Sequence, residues 1–198
     1  MKRLDWNQIE GSLDAEGYAL LPGLLARDQA ESLMQHDSGI ETWRTAFYPR
    51  LAALANRWNE KLGIDYRYPS MLDAFLQRNR EAGRSRPLSH LTRLREGDYL
   101  PLKQIDEAEH AFPLQAVALL NEPGRDFRGG EFVMTERRPR MQSRPMVLPM
   151  KAGDVAIVCA GTRPLEGSRG FYRAGLKHAI SRVHEGERIG LEVSFHNG

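Results

Sequence analysis

The chain has 198 residues, 41% of them apolar and 27% charged, with a net charge of +2 at pH 7. That length suits one ordinary domain, able to bury about 70% of its unfolded surface without staples, and the balance excludes intrinsic disorder. One cysteine, Cys159, excludes a disulfide framework and a Cys-rich zinc site. No apolar run approaches the roughly 18 residues of a membrane span, and Met1 to Glu10 does not read as a signal peptide, so the expected compartment is the cytoplasm.

The near-neutral charge conceals a skew, because 23 of the 28 basic residues are Arg and only 5 are Lys. Arginine suits planar, bidentate contacts to carboxylate or phosphate, although codon bias produces the same skew. Each lysine therefore has to be located.

The first third reads helical. Asp5 to Leu13 forms a short helix, and Tyr18-Ala-Leu-Leu-Pro22 is a short apolar strand. Asp28-Gln-Ala-Glu31 is a capping-box pattern opening a helix through about Gln35. From Thr45 to Leu62, Tyr48, Leu51, Leu54, Ala55, Trp58 and Leu62 recur at three- and four-residue spacing, with Gly63 as the stop. Ser70-Met-Leu-Asp73 caps one more helix ending near Gly83. These apolar stripes, Trp58 included, read as core.

After Pro87 the pattern changes to short strands: Leu88–Leu94, Tyr99–Ile105, Phe112–Leu120, Glu131–Thr135, Met146–Pro149, Val155–Ala160, Leu176–Val183 and Arg188–Phe195. Turn signals separate them at Glu96-Gly-Asp98, Glu122-Pro-Gly124, Gly129-Gly130, Ala152-Gly-Asp154 and Glu185-Gly-Glu187. About eight strands preceded by helices predict an α+β fold spanning residues 1–198. It would be a double-stranded β-helix (jelly roll) over 87–198 with a helical layer from 1–86 packed on one sheet. In the last strand, Ile189, Leu191, Val193 and Phe195 share one face, expected against the helices. Arg188, Gly190, Glu192 and Ser194 share the other, expected to line the barrel mouth. An Arg in that row reads equally as an anion anchor and as a surface residue.

Several stretches are more specific. They are Phe127-Arg-Gly-Gly130-Glu-Phe132, Lys151-Ala-Gly-Asp154-Val, His178-Ala-Ile-Ser-Arg-Val183, Gly186-Glu-Arg188 and Phe195-His196. In this order they resemble successive strands of the iron(II)/2-oxoglutarate-dependent oxygenases. Tyr18-Ala-Leu-Leu-Pro-Gly-Leu-Leu25, Ala55-Asn-Arg-Trp-Asn59, Phe112-Pro-Leu-Gln115 and Arg137-Arg-Pro-Arg-Met-Gln-Ser-Arg144 are similar to a bacterial, prolyl-hydroxylase-like branch. The resemblance covers nearly the whole chain. It implies a metal held by His-x-Asp on one strand and a second His far downstream, with three coordination positions left for 2-oxoglutarate and dioxygen. It also implies an Arg or Lys about ten residues after the second His, gripping the distal carboxylate of 2-oxoglutarate. His178 matches the downstream ligand and Arg188 the anchor.

The upstream half departs. The implied His-x-Asp follows a Gly-Asp-Tyr element, here Gly97-Asp98-Tyr99-Leu-Pro-Leu102, so Lys103 stands at the histidine position and Ile105 at the aspartate position. Ile105 has no donor atom, and a lysine coordinates only after losing its proton. Iron(II) in the usual geometry is therefore not expected. Asp106, Glu109 and His110 could supply substitute ligands, but they lie toward the next loop, many ångströms along the chain. His90 and His184 are expected at the surface. Related sequences also carry a longer segment over the active-site mouth. Asp37-Ser-Gly-Ile-Glu41 is short, so that cover is expected to be missing.

Two readings of Lys103 remain open. As the residue at the catalytic position, it stands in for the metal's charge and, with Arg188, binds a dicarboxylate such as 2-oxoglutarate. Alternatively, Glu192 pairs with Lys103 or Arg188 and plugs the pocket. The first makes the protein a metal-independent dicarboxylate binder. Both are compatible with a non-catalytic role toward a protein partner. The competing reading is an active oxygenase with recruited ligands.

Two arginine groups, Arg78, Arg80, Arg84, Arg86, Arg93 and Arg95, then Arg137, Arg138, Arg140 and Arg144, would suit phosphate contacts. Few aromatics accompany them and acids nearly cancel the charge, so solvated faces and ion pairs are the plainer expectation. Cys159, inside Val155-Ala-Ile-Val-Cys-Ala160, reads as a buried structural residue.

Overall fold

The structure, a computed structural model, describes residues 4–35, 39–104 and 111–198. Helix α1 (Trp6–Glu16) starts at Asp5, whose carboxylate accepts the backbone N–H of Gln8 at 3.2 Å. It ends at Gly17, whose φ of 79° only glycine adopts cheaply. A Cβ there would meet the side chain of Leu176.

Helix α2 (Arg27–Gln35) corrects the expected cap. Gln29 Oε1 accepts the N–H of Ala26 at 2.9 Å, and Asp28 lies inside the first turn, where its charge still favours the positive helix end. Helix α3 (Ile40–Lys61) starts five residues earlier than Thr45 and carries Pro49 within it. Its buried side Phe47, Tyr48, Leu51, Leu54 and Trp58 follows the predicted spacing, and Trp58 Nε1 donates to Asp14 at 2.6 Å. Helix α4 (Leu72–Glu81) is preceded by Met71, not Ser70, and its N-terminus has no side-chain cap.

The strands form two antiparallel sheets. The larger runs in the order β1 (Tyr18–Leu21), β8 (Val155–Cys159), β4 (Leu114–Leu119), β11 (Val183–Ser194) and β2 (His90–Arg95), with β5 (Phe127–Gly129) also on β11. The smaller runs β3 (Leu100–Lys103), β10 (Gly170–Ile180), β6 (Phe132–Arg137) and β7 (Arg144–Leu148), with β9 (Thr162–Gly167) also on β10. Two antiparallel curled sheets with helices are the expected double-stranded β-helix.

Two strands were not legible in the sequence. β5 is three residues long beside two glycines, and β9 contains Pro164, which interrupts a strand pattern and suits a sheet edge. The turn expected at Glu185-Gly-Glu187 is instead an irregularity within β11. Gly186 has φ 77°, and a Cβ there would lie 2.1 Å from the carbonyl oxygen of Asp126.

The helical layer covers the larger sheet. Tyr48 of α3 packs on Phe112 and Phe195 with ring centroids 5.3 and 6.4 Å apart. One face of β11 therefore meets the helices, as its alternation predicts, and Gly190, Glu192 and Ser194 face the other way. Among the described residues no helix is long and apolar enough to cross a membrane.

Candidate functional site

The barrel interior is built by strand register. On the smaller sheet His178 of β10 is the cross-strand partner of Lys103 of β3. On the larger sheet Glu192 of β11 lies between His90 of β2 and Val117 of β4, and Ser194 partners Gln115. The two sheets thereby enclose a cavity of about 320 Å³ lined by Lys103, His178, Gln115, Glu192, Ser194 and His196, with Arg84, Arg86 and His90 also on its wall.

Lys103 Nζ pairs with Glu192 Oε2 at 2.7 Å; the lysine side chain is 42% exposed and the glutamate 10%. His178 is buried between Gln115 and the ring of Phe132. Gln115 Nε2 lies 3.1 Å from His178 Nε2, and the Phe132 and His178 rings are 5.6 Å apart and nearly parallel. With the amide donating to Nε2, the ring proton sits on Nδ1, which is buried without a hydrogen-bond partner. Burial, reinforced by the Lys103 charge and opposed by Glu192, lowers the His178 pKa to about 4, so the ring is neutral at pH 7. His196 is lowered to about 4 by burial and by Arg84 and Arg44.

Arg188 runs along the inner face of β11. It is 4% exposed, and its Nε donates to the Gly130 carbonyl at 2.8 Å. Its Nη1 lies only 2.6 Å from where a Cβ of Gly190 would stand, so the guanidinium lies over that glycine toward Glu192. A side chain at residue 190 would displace it. Neither Nη makes a hydrogen bond or ion pair among the described residues. Burial, partly offset by Glu192, lowers the Arg188 pKa to about 10.

Arg188 lines a second cavity, of about 430 Å³, with Leu119, Gly130, Phe132 and Met150. The structure thus does not place Arg188 and His178 on the wall of one cavity, as the resemblance implies. The Phe132 ring, which lines the Arg188 cavity and stacks on His178, stands between them.

The donor set tests the implied metal. Among the described residues no group of three or more His, Cys, Asp or Glu could hold an ion. The lone matching imidazole has its Nε2 engaged by Gln115, and the residue beside it is a lysine in an ion pair. These residues do not fit iron. Ile105, Asp106, Glu109 and His110 lie outside the described residues, as do Asp37 and Ser38 of the shortened mouth segment.

The other expectations divide. His184 is exposed, whereas His90, expected at the surface, is exposed yet also borders the first cavity. Arg93 and Arg95 both pair with Glu187, at 3.2 Å each, Arg138 pairs with Glu136 at 2.8 Å and Arg144 with Glu16 at 2.8 Å, so among the described residues these four members of the two groups meet carboxylates. Burial pushes the Cys159 thiol up to about 12, the state of an inert structural cysteine. Gln115 and Phe132 were quoted in the sequence without a role. A glutamine inside Leu114–Leu119, where all six residues are buried, was the available signal.

The sequence model of the Oxygenase-NA family, described as an oxygenase catalysing oxidative methylation of damaged DNA, matches residues 33–198. Two uncharacterized proteins of Mycobacterium tuberculosis are each 34% identical over 158 residues, covering 80% of this chain and 68% of theirs. In structure the chain is similar to a Pseudomonas putida prolyl-4-hydroxylase, with a TM-score of 0.50 and 14% identity over 96% of this chain and 94% of that one. It is also similar to a 2OG-Fe(II) oxygenase family oxidoreductase from Burkholderia pseudomallei, with a TM-score of 0.51 and 16% identity over 100% and 93%. These two likenesses carry the fold. The family match carries the identity: the chain belongs to the Oxygenase-NA family.

Proposed function

We propose that the protein binds a small carboxylate ligand at Arg188, with 2-oxoglutarate as the first candidate, and that this binding does not require iron(II). The observation that carries the reading is a guanidinium with neither Nη atom partnered among the described residues, although the residue is 4% exposed. A buried, unpaired cation is costly, and a carboxylate accepting both Nη donors restores what burial removed. Lys103 then has a defined task. By pairing with Glu192 it keeps that carboxylate from neutralising Arg188 and leaves the guanidinium for a ligand.

Calorimetry with millimolar 2-oxoglutarate in the absence of iron tests the reading. Heat should appear with the native chain and vanish with Arg188→Met. Lys103→Met should weaken binding too, because the released Glu192 would compete for Arg188. No heat from the native chain overturns the proposal.

The family match favours a second reading, an oxygenase acting on nucleic acid with ligands recruited from Asp106, Glu109 or His110. Iron content after anaerobic reconstitution and succinate release from 2-oxoglutarate decide it. Stoichiometric iron with steady succinate release would put this reading in place of the first.

A further inference from the structure

Arg188 meets the second cavity beside a wall of one chemical kind. Leu119, at the end of β4, comes from the larger sheet. Phe132 of β6 and Leu148 of β7 are cross-strand partners on the smaller sheet, and Phe127 of β5 and Met150 complete the wall. All five belong to the buried apolar core, and none is more than 8% exposed.

The arginine is held against this wall. Gly130 has φ 67°, and a Cβ there would lie 2.8 Å from Arg188 Cδ and 3.3 Å from Phe127 Cε2, so glycine lets the arginine stem cross the turn. Nε is used by the Gly130 carbonyl. Neither Nη is among the buried polar atoms sealed off without a partner, so both reach accessible space, and Arg188 lines the second cavity. The other charged residues on this cavity are Arg128 and Glu131. Arg128 and its partner Glu185, 3.5 Å away, are both mostly exposed. Glu131 is exposed and accepts the Ser181 hydroxyl.

A ligand that reaches Arg188 therefore finds one buried cation and, beyond it, aliphatic and aromatic carbon. A dicarboxylate would have to strip water from its second charge with no buried cation to receive it, which is costly. An aliphatic tail gains from the same wall, about fourfold in affinity for each methylene buried. A volume of about 430 Å³ accommodates a six-carbon acid.

We infer that the Arg188 cavity selects a monocarboxylate with a short aliphatic body over a dicarboxylate. The inference rests on the carboxylate reading of Arg188 and narrows its ligand class, making 2-oxoglutarate the weaker ligand. Calorimetry on the full chain without iron, using butyrate, pentanoate, hexanoate and 2-oxoglutarate, tests it. Affinity should rise about fifteenfold from butyrate to hexanoate. Hexanoate should exceed 2-oxoglutarate by about tenfold or more. Hexanol, which has the tail without the charge, should bind about tenfold or more weaker than hexanoate. Arg188→Met should erase the difference between hexanoate and hexanol. Met150→Gln, which puts an amide into the wall, should weaken hexanoate about fivefold or more and flatten the chain-length series.

Should Met150→Gln misfold, the series on the native chain still has to rise with length. No heat from either hexanoate or 2-oxoglutarate overturns the carboxylate reading and this inference together. Binding of 2-oxoglutarate through Arg188 as tight as that of hexanoate overturns the inference alone, and so does a series flat in chain length. Equal affinity for hexanol and hexanoate overturns it as well, because the guanidinium would then select nothing.

Discussion

Three arginines among the described residues are almost fully buried, and two of them, Arg163 and Arg188 on the facing sheets, are treated in opposite ways. Arg163 is 0% exposed, and every nitrogen of its guanidinium is used. Nε and Nη2 donate to Glu136 Oε2 at 3.0 and 2.5 Å, and Nη1 and Nη2 donate to the carbonyls of Asp14 and Ala15 at the end of α1. Glu136 is equally buried. Burial raises its pKa, but the hydrogen bond from Arg138 and the charge and hydrogen bond of Arg163 outweigh that and hold it low. Arg188, on the facing sheet, donates once, to Gly130. The first arginine ties the smaller sheet to a helix end whose carbonyls need donors. The second gives the fold one hydrogen bond and has no Nη partner among the described residues, which is the feature the proposed carboxylate ligand would use.

Substitutions should break this contrast in a definite order. The largest effect belongs to Arg163→Met or Glu136→Gln. Either leaves a buried group unpaired and should cost about 3 to 5 kcal/mol in urea unfolding. A loss below about 1 kcal/mol would mean that the pair is not structural.

Next comes acid. His178 and His196 bind protons less readily folded, at about 4, than at their ordinary value of 6.5. A depressed pKa means stability that is complete above 6.5 and lost as the pH falls toward 4. Going from pH 7 to pH 5 should remove about 2 kcal/mol for each histidine. His178→Gln should make the pH profile of the urea midpoint visibly shallower; an unchanged profile would show that the ring is not held neutral.

The smallest stability effect should come from Arg188→Met, within about 1 kcal/mol of the native chain in either direction, because an unpaired charge and one hydrogen bond are lost together. Its value lies in the pairing with calorimetry. A variant as stable as the native chain that no longer binds 2-oxoglutarate sharpens the distinction between the two arginines. A variant that unfolds erases it.

Much of the fold was legible because it depends on short-range pattern. The three- and four-residue spacing of α3 and the alternation of β11 each place one apolar face, and both faces meet as expected. Boundaries were less legible where tertiary contacts outweigh local signals. Asp28 is a good capping residue, yet the chain starts α2 one residue earlier. Glu185-Gly-Glu187 has turn composition, yet pairing with β5 carries β11 straight through it. In the site, the departure at Lys103 was visible in the sequence, but its partner was one of two alternatives. Gln115 engaging His178, and Phe132 standing between His178 and Arg188, depend on strand register and sheet-to-sheet packing.

The sequence by itself determined the jelly-roll class, the family likeness and the identity of the odd residue at position 103. Periodicity and motif spacing are properties of neighbours along the chain. Only the tertiary structure decided which charges meet. It joins Lys103 to Glu192 and Arg163 to Glu136, and leaves Arg188, Arg137, Arg173 and Lys177 without a carboxylate partner among the described residues. The opening skew toward arginine thereby resolves into three uses: internal pairing, a buried guanidinium facing a cavity, and charge on solvated faces. Charges interact through space, and residues 89 positions apart come within 2.7 Å only once the sheets have closed.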